Sequence, residues 1–307
     1  MMIEKVVQKT KMTLIFVFFI LIAGNFANAS NIIDLLQTIP KEHQTEIKKL
    51  FEDLFKYQAF AYSLYGEKPM TLSDSITAEL SSDATSKFLP IDKYCLDVLE
   101  IYSEPSEIFK NRWDIWNKYK NLFKIKNYIF TEKIIGKCKR LFIINKRCFK
   151  DTINQNINLF KTLIDSNLSS ENLLAQFENE KTNVFDILQH NEGLLGILLG
   201  FGEYNAMLFQ KREYLFDKLE IAKRSGIYKL DSIQNRIKFL NTKLQLLREH
   251  DSYIIASINR VCFVADAENY ETIKYKADYD KLNKKINEIY SKDDWFEQTL
   301  IQLTNTK

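Results

Sequence analysis

Between Lys118 and Lys150 the chain carries eleven basic residues: Lys118, Lys120, Lys124, Lys126, Lys133, Lys137, Lys139, Arg140, Lys146, Arg147 and Lys150. The one acid among them is Glu132, so the segment stands at +10. Tyr119, Phe123, Tyr128, Phe130 and Phe149 interleave with the cations. Clustered cations attract polyanions, and rings between them add stacking or interfacial contact. The chemistry this pattern suits is the binding of an anionic surface, with Lys137, Lys139, Arg140, Lys146, Arg147 and Lys150 as candidate contact residues. The plainer alternative is internal pairing, because cations that cluster in sequence need not share a face. The whole chain is +3, and its first 29 residues carry three lysines against Glu4, so residues 30–307 stand at +1. Outside 118–150 that stretch therefore totals −9, and the molecule is strongly dipolar.

Reactive side chains are sparse. His43, His190 and His250 are the three histidines, and none sits in H-x-H or H-E-x-x-H spacing. Cys95, Cys138, Cys148 and Cys262 show no C-x-x-C pair. No local metal site is expected from these spacings. A nucleophile assembled in space from Cys138, Cys148 or Cys262 with His190 or His250 stays open, since such partners need not be sequence neighbours. "REHDS" (Arg248–Ser252) reads as the polar end of a helix, where His250 suits the helix dipole. No cofactor is implied. Ten residues separate Cys138 from Cys148, and a strand over 140–144 holds them too far apart for a disulfide.

Gly193, Gly196, Gly200 and Gly202 are four of the eight glycines, gathered within ten residues. Gly200-Phe201-Gly202 lacks the third glycine of a dinucleotide loop, and helix-like residues precede it rather than a strand. At helical spacing Gly193, Gly196 and Gly200 share a face, with Tyr204 and Met207 continuing it. The spacing predicts a buried helix from Asn191 to about Phe216, capped by Asn191, packed closely at its glycines and kinked at Gly200–Gly202.

The elements that must carry these residues are mostly helical. Pro40, Pro69, Pro90 and Pro105 are the only prolines, so the last 200 residues hold none. Ile47, Leu50, Leu54, Tyr57, Ala61 and Leu64 form one seam at alternating spacings of 3 and 4, and Leu230, Ile233, Ile237, Leu240, Leu244 and Leu247 form another. A third runs through Tyr275, Tyr279, Leu282, Ile286 and Ile289, and Phe109, Trp113, Trp116 and Phe123 mark an aromatic helix. Residues either side of Gly136 favour strands and predict a hairpin near 128–144, with Asn145 capping the helix that follows. Arg260–Asp266 is a second extended candidate. Thr71–Ser86 is rich in Ser and Thr and predicts a loop over 71–90, dividing an N-terminal helical segment (30–70) from a main helical domain (91–307). The fold class expected is mainly α: a multi-helix, bundle-like domain with a small inserted β-hairpin.

Lys5, Lys9 and Lys11 precede the apolar run Leu14–Gly24, and Ala27-x-Ala29 follows it. This is the pattern of a secretory signal peptide over residues 1–29, with the mature chain starting at Ser30. The run is about half of a membrane span, and no second long apolar run follows. Export to the periplasm or beyond argues against nucleic acid as the anionic partner. It favours lipid headgroups, an envelope polymer or an acidic protein.

"FAYSLYGEKPM" (Phe60–Met70), "LFIINKR" (Leu141–Arg147) and "GLLGILLGFGEYNAMLF" (Gly193–Phe209) resemble segments of uncharacterised exported proteins from chlamydia-like intracellular bacteria. The three blocks cover about a tenth of the chain. The resemblance implies an exported protein of a host-associated bacterium and brings no reaction or catalytic residue with it. Two functions follow from the residues: an exported, non-enzymatic binding protein that uses 118–150 towards an anionic partner, or an exported hydrolase with a spatially assembled Cys/His/acid site.

Overall fold

Long stretches without proline or glycine leave most of this chain free to be helical, and the exceptions set its layout. The computed structural model describes residues 32–78, 106–135, 138–179, 182–225, 231–246 and 264–305. A helix over residues 32–37 (α1) leads through Pro40 into α2 (Lys41–Phe51). A π-helical turn, Glu52–Tyr57, joins α2 to α3 (Phe60–Tyr65). The expected seam is therefore one residue out of step after Phe51. Ile47, Leu50, Leu54, Ala61 and Leu64 are buried, Tyr57 swings out to 42% exposure, and Phe51 and Phe55 turn inward. The wider π turn explains the change, because it takes up more residues per turn than an α-helix.

The loop expected over 71–90 is a correction. It begins as a strand, β1 (Met70–Ala78), and its remaining residues lie outside the described ones. Composition misled here because the hydroxyls that suggest a loop have partners inside the fold. Thr71 Oγ1 lies 2.8 Å from Ser63 Oγ, and Ser73 Oγ accepts from Leu141 N at 2.9 Å, across a register shift between Leu72 and Ser75. After α4 (Ser106–Tyr119) and a 3-10 turn (Lys120–Phe123), the hairpin stands where the residues either side of Gly136 put it, as β2 (Tyr128–Ile135) and β3 (Cys138–Asn145). It is not free-standing. β3 pairs antiparallel with both β1 and β2, so the strand order is β1-β3-β2 with β3 in the middle.

Side chains alternate across a strand, so β3 feeds two cores. Leu141 and Ile143 enter the first, with Phe51, Phe55, Phe60, Trp113, Trp116, Phe130 and Phe296. Phe142 and Ile144 enter the second, with Phe149, Phe160, Phe177, Leu194, Ile197 and Ala206. The first core is closed by α2, α3 and α4 together with the last two helices, α12 (Tyr270–Tyr290) and α13 (Trp295–Thr304). The N-terminal helices thus share one core with the C-terminal ones.

The second core is built from consecutive helices after β3. These are α5 (Lys146–Gln155), α6 (Ile157–Leu163), α7 (Ser170–Glu178), α8 (Val184–Ile187), α9 (Glu192–Leu198) and the start of α10 (Glu203–Arg224). Asn145 caps α5 by accepting from Cys148 N at 3.2 Å, and Asn191 caps α9 by accepting from Leu194 N at 2.9 Å. Beyond this layer α10 packs on α11 (Asp231–Lys243) through Leu215, Leu219, Ile237 and Leu240. A two-stranded ribbon, β4 (Leu244–Leu246) and β5 (Val264–Asp266), completes the order. β5 falls within the extended stretch expected at 260–266. The fold is mainly α with a small antiparallel sheet, and among the described residues no helix is long and apolar enough to cross a membrane.

The glycine segment is two helices rather than one kinked helix. Gly200 and Gly202 take φ of +77° and +83°, conformations that side chains resist, and the chain turns there. The face expected to run on through Tyr204 and Met207 therefore folds back. Gly196 lies against α10: a Cβ on it would stand 2.9 Å from Ala206 Cβ. Tyr204 is 40% exposed.

Candidate functional site

The basic segment divides into two halves with different surroundings. Its first half leaves α4 at Tyr119, tightens into the 3-10 turn and passes through Lys124 in a left-handed conformation at φ 48°. Phe123 anchors this turn: its ring is buried and stacked on Trp116 with centroids 5.5 Å apart. Tyr119 adds a second tie, its hydroxyl 2.8 Å from His43 Nδ1 on α2. With Phe123 turned in, Leu122, Lys124 and Lys126 stay at the surface beside Lys118. Lys118 Nζ sits 5.4 Å from the Tyr119 ring centre, and Lys120 Nζ sits 5.8 Å from that of Trp113. Among the described residues, no carboxylate pairs with Lys118, Lys124 or Lys126 within ion-pair distance, whereas four cations of the second half have carboxylate partners.

In that second half, Lys139 pairs with Glu132 at 3.0 Å, Lys146 with Glu178 at 2.7 Å, Arg147 with Asp151 at 3.7 Å and Lys150 with Glu171 at 3.8 Å. Arg140 Nη1 donates to the Ser73 carbonyl at 2.9 Å. Lys133 is fully buried, its amine donating to the Asn179 carbonyl. Lys137 lies outside the described residues. Five of the six candidate contact residues are thus tied within the molecule, because β3 is a central strand with helices on both faces. Its flanking cations meet acids on α5 and α7 and on β2.

Of the groups of the rival hydrolytic site, Cys148 and His190 have described side chains. Cys148 is a free thiol, buried at the start of α5. Burial pushes its pKa up, opposed by Arg147, with Glu67 and Asp151 adding to the rise. His190 is exposed, 3.7 Å from Asp186 and stacked on Phe185, at the end of a turn in which Gln189 and His190 take φ of 50° and 57°. No cluster of three His, Cys, Asp or Glu among the described residues is placed to hold a metal ion. Cys95, Cys262, His250 and the "REHDS" cluster lie outside those residues.

One polar centre has no signature in the sequence pattern. Lys68 is 4% exposed; its amine donates to the Leu199 carbonyl and lies 5.0 Å from the Phe201 ring centre. Burial alone draws its pKa down to about 7. Tyr279 donates to the Gly200 carbonyl at 2.8 Å, and burial holds that phenol far above its usual range. The Glu271 carboxylate accepts from Glu203 N at 3.3 Å and Tyr204 N at 3.0 Å, completing the first turn of α10 from α12. Asn205 extends the network to Thr272 at 2.8 Å and to Asp266 N at 3.0 Å. Burial would raise the Asp266 pKa, but hydrogen bonds from Tyr204 and Lys243 outweigh it and hold the carboxyl below its usual value. Lys68 lies in "GEKPM", between a helix end and a strand, where no periodicity marks a buried position. Residues of 60–70, 141–147 and 193–209 meet around it: Asn145 N donates to the Pro69 carbonyl at 2.9 Å, and Lys68 reaches Leu199.

Comparison with family models, with curated proteins and with solved structures returned no match.

Proposed function

We propose that this chain is an exported, non-enzymatic binding protein that engages an anionic partner through its basic–aromatic segment, with the turn from Lys118 to Lys126 as the contact. The observation that carries the reading is the contrast between the two halves of that segment. Acids of the fold take up Lys139, Lys146, Arg147 and Lys150, whereas Lys118, Lys124 and Lys126 face solvent around a turn that Phe123 fixes to the core. A cation left in water loses little by exchanging its counterions for a multivalent anion, whereas a paired one must first give up its partner. The first 29 residues act as the signal peptide, and the periplasm or the exterior is where the partner is met.

The test is binding of the full chain to anionic vesicles and to a soluble polyanion such as polyphosphate. Lys118→Gln, Lys124→Gln and Lys126→Gln together are expected to remove most of the binding at low salt, at about 1 kcal/mol per lysine near an anionic surface. Added salt is expected to erase the difference. Lys139→Gln with Lys146→Gln is expected to matter less. Unchanged low-salt binding by the folded triple variant would overturn the reading.

A further inference from the structure

We propose that the anionic partner is a lipid surface, and that the Lys118–Lys126 turn is an interfacial anchor with Leu122 at its apex. The inference rests on the binding reading above and narrows it to one kind of partner. Leu122 is 39% exposed, while the next residue, Phe123, is 2% exposed and stacked on Trp116. The direction of Leu122 is thus set by its neighbour: the ring that goes in obliges the leucine to stay out. Lone exposed leucines are ordinary, and it is the surroundings of this one that count. Lys118, Lys124 and Lys126 stand exposed on either side of it, and Asn121 beside it is exposed as well. Asp114 stands one helical turn before Lys118, and the lysines outnumber it.

The backbone at the tip is a second observation. Lys124 sits in the left-handed region, which glycine or asparagine takes more readily. That conformation ends the 3-10 turn directly after Phe123, and Lys124 and Lys126 are exposed as Leu122 is. A soluble polymer of fixed negative charge rewards the lysines alone. A bilayer rewards both parts, because headgroups attract the amines while an apolar side chain enters the headgroup–acyl boundary. Other apolar side chains are more exposed, Ile221 at 65% and Phe239 at 59%; Glu220 and Lys223 pair with each other beside Ile221, and Arg236 and Lys238 flank Phe239 on α11. The turn sets three exposed lysines around its apolar apex.

The experiment compares three probes with the full chain: phosphatidylglycerol-rich vesicles, phosphatidylcholine vesicles and polyphosphate. Leu122→Ser is expected to lower partitioning onto the anionic vesicles roughly five- to tenfold and to leave polyphosphate binding unchanged. Leu122→Trp is expected to strengthen the vesicle binding and to blue-shift tryptophan emission on anionic vesicles. Both changes lie at an exposed position, and melting curves confirm that the fold survives. If Leu122→Ser binds the anionic vesicles as the parent chain does, or if the parent binds polyphosphate but not vesicles, the lipid anchor is overturned while the anionic-partner reading stands. If the triple lysine variant retains binding to both anionic probes, that broader reading falls as well.

Discussion

The two faces of β3 meet their helices in different ways. On the first face the gap between sheet and helices is filled by rings. Phe130 has the ring centres of Phe51, Phe55, Phe60, Trp113 and Trp116 between 5.0 and 6.2 Å away, most of them edge-on or tilted. The second face meets fewer rings, Phe149, Phe160 and Phe177, together with aliphatic side chains, and within this layer Gly196 brings α9 against Ala206 of α10. Rings can tilt and re-pack over a few degrees, whereas backbones already in contact have nowhere to go. The elements differ in sequence range too. The first core joins residues from near residue 32 to near residue 303, and the second draws mainly on the run from β3 to Ala206. One strand therefore joins a ring-rich layer of long sequence range to a more local one.

The largest effect expected from this difference is at Phe142. Phe142→Ala should cost about 3–5 kcal/mol and should exceed Phe130→Ala, because the five rings around Phe130 can tilt into the space it leaves. Urea unfolding of both variants decides it, and a larger loss at Phe130 would break the comparison. Gly196→Leu comes next, at no less than about 1–3 kcal/mol from overpacking, since even a Cβ there is too close to Ala206. A melting temperature equal to the parent's would show that α9 and α10 can separate freely.

The buried cations sharpen the contrast through pH. Arg112, against the first core, donates to Glu46 at 3.0 Å and to Asp53 at 2.9 Å, so its charge is matched. Lys68, at the turn between α9 and α10, has a carbonyl and a ring for partners among the contacts that define it. Its folded pKa is drawn down to about 7, while the unfolded chain holds that proton to about 10.5. Between those values the unfolded state binds more protons, so stability should rise with pH, by roughly 2 kcal/mol from pH 7 to pH 9. Lys68→Met should flatten that rise, as read from denaturation midpoints at the two pH values. An equal rise in the variant would assign it to other groups. Glu46 acts in the opposite range. Hydrogen bonding from Lys49 leads in holding its pKa low, with Arg112 assisting against burial, so its contribution is present above the unfolded carboxylate pKa and is lost as acid takes the pH down through the folded one.

The smallest expected effects test whether the cores are separate at all. Ile143 and Ile144 are adjacent, fully buried and assigned to opposite cores. Ile143→Val and Ile144→Val should each cost about 0.5–1.5 kcal/mol, and the double variant should equal their sum within about 0.5 kcal/mol. A larger coupling in the double-variant cycle would mean that the strand transmits strain from one layer to the other.

Much of this architecture is legible in residue types, for definable reasons. The hairpin is visible because β-favouring runs flank Gly136, and the caps are visible because Asn145 and Asn191 stand just before apolar periodic residues. Other features depend on distant partners that no local pattern contains. β1 looks like a loop until Ser63 and Leu141 are there to satisfy its hydroxyls. The π turn after Phe51 keeps a heptad seam in the letters while rotating Tyr57 out of it. The glycine stripe is correctly a close-packing surface, yet its partner is the next helix of the same segment, because the positive φ of Gly200 and Gly202 ends α9. The basic run is visible as charge, whereas the pairing of Lys139, Lys146 and Lys150 depends on Glu132, Glu178 and Glu171, which only folding brings alongside. Lys68 carried no signal of any kind.

The carboxylate of Glu271, which completes the first turn of α10, has a bearing on how the molecule is made. A ribosome delivers residue 203 well before residue 271, so the start of α10 must wait, its amides in water, for a side chain still to be synthesised. The same delay applies to the first core, whose rings on α2 and α4 stay partly uncovered until α13 arrives. The second core, complete by about Ala206, is the part that can assemble while the chain is still being extended. A nascent chain halted near residue 215 would then hold its first core open while its second is already assembled.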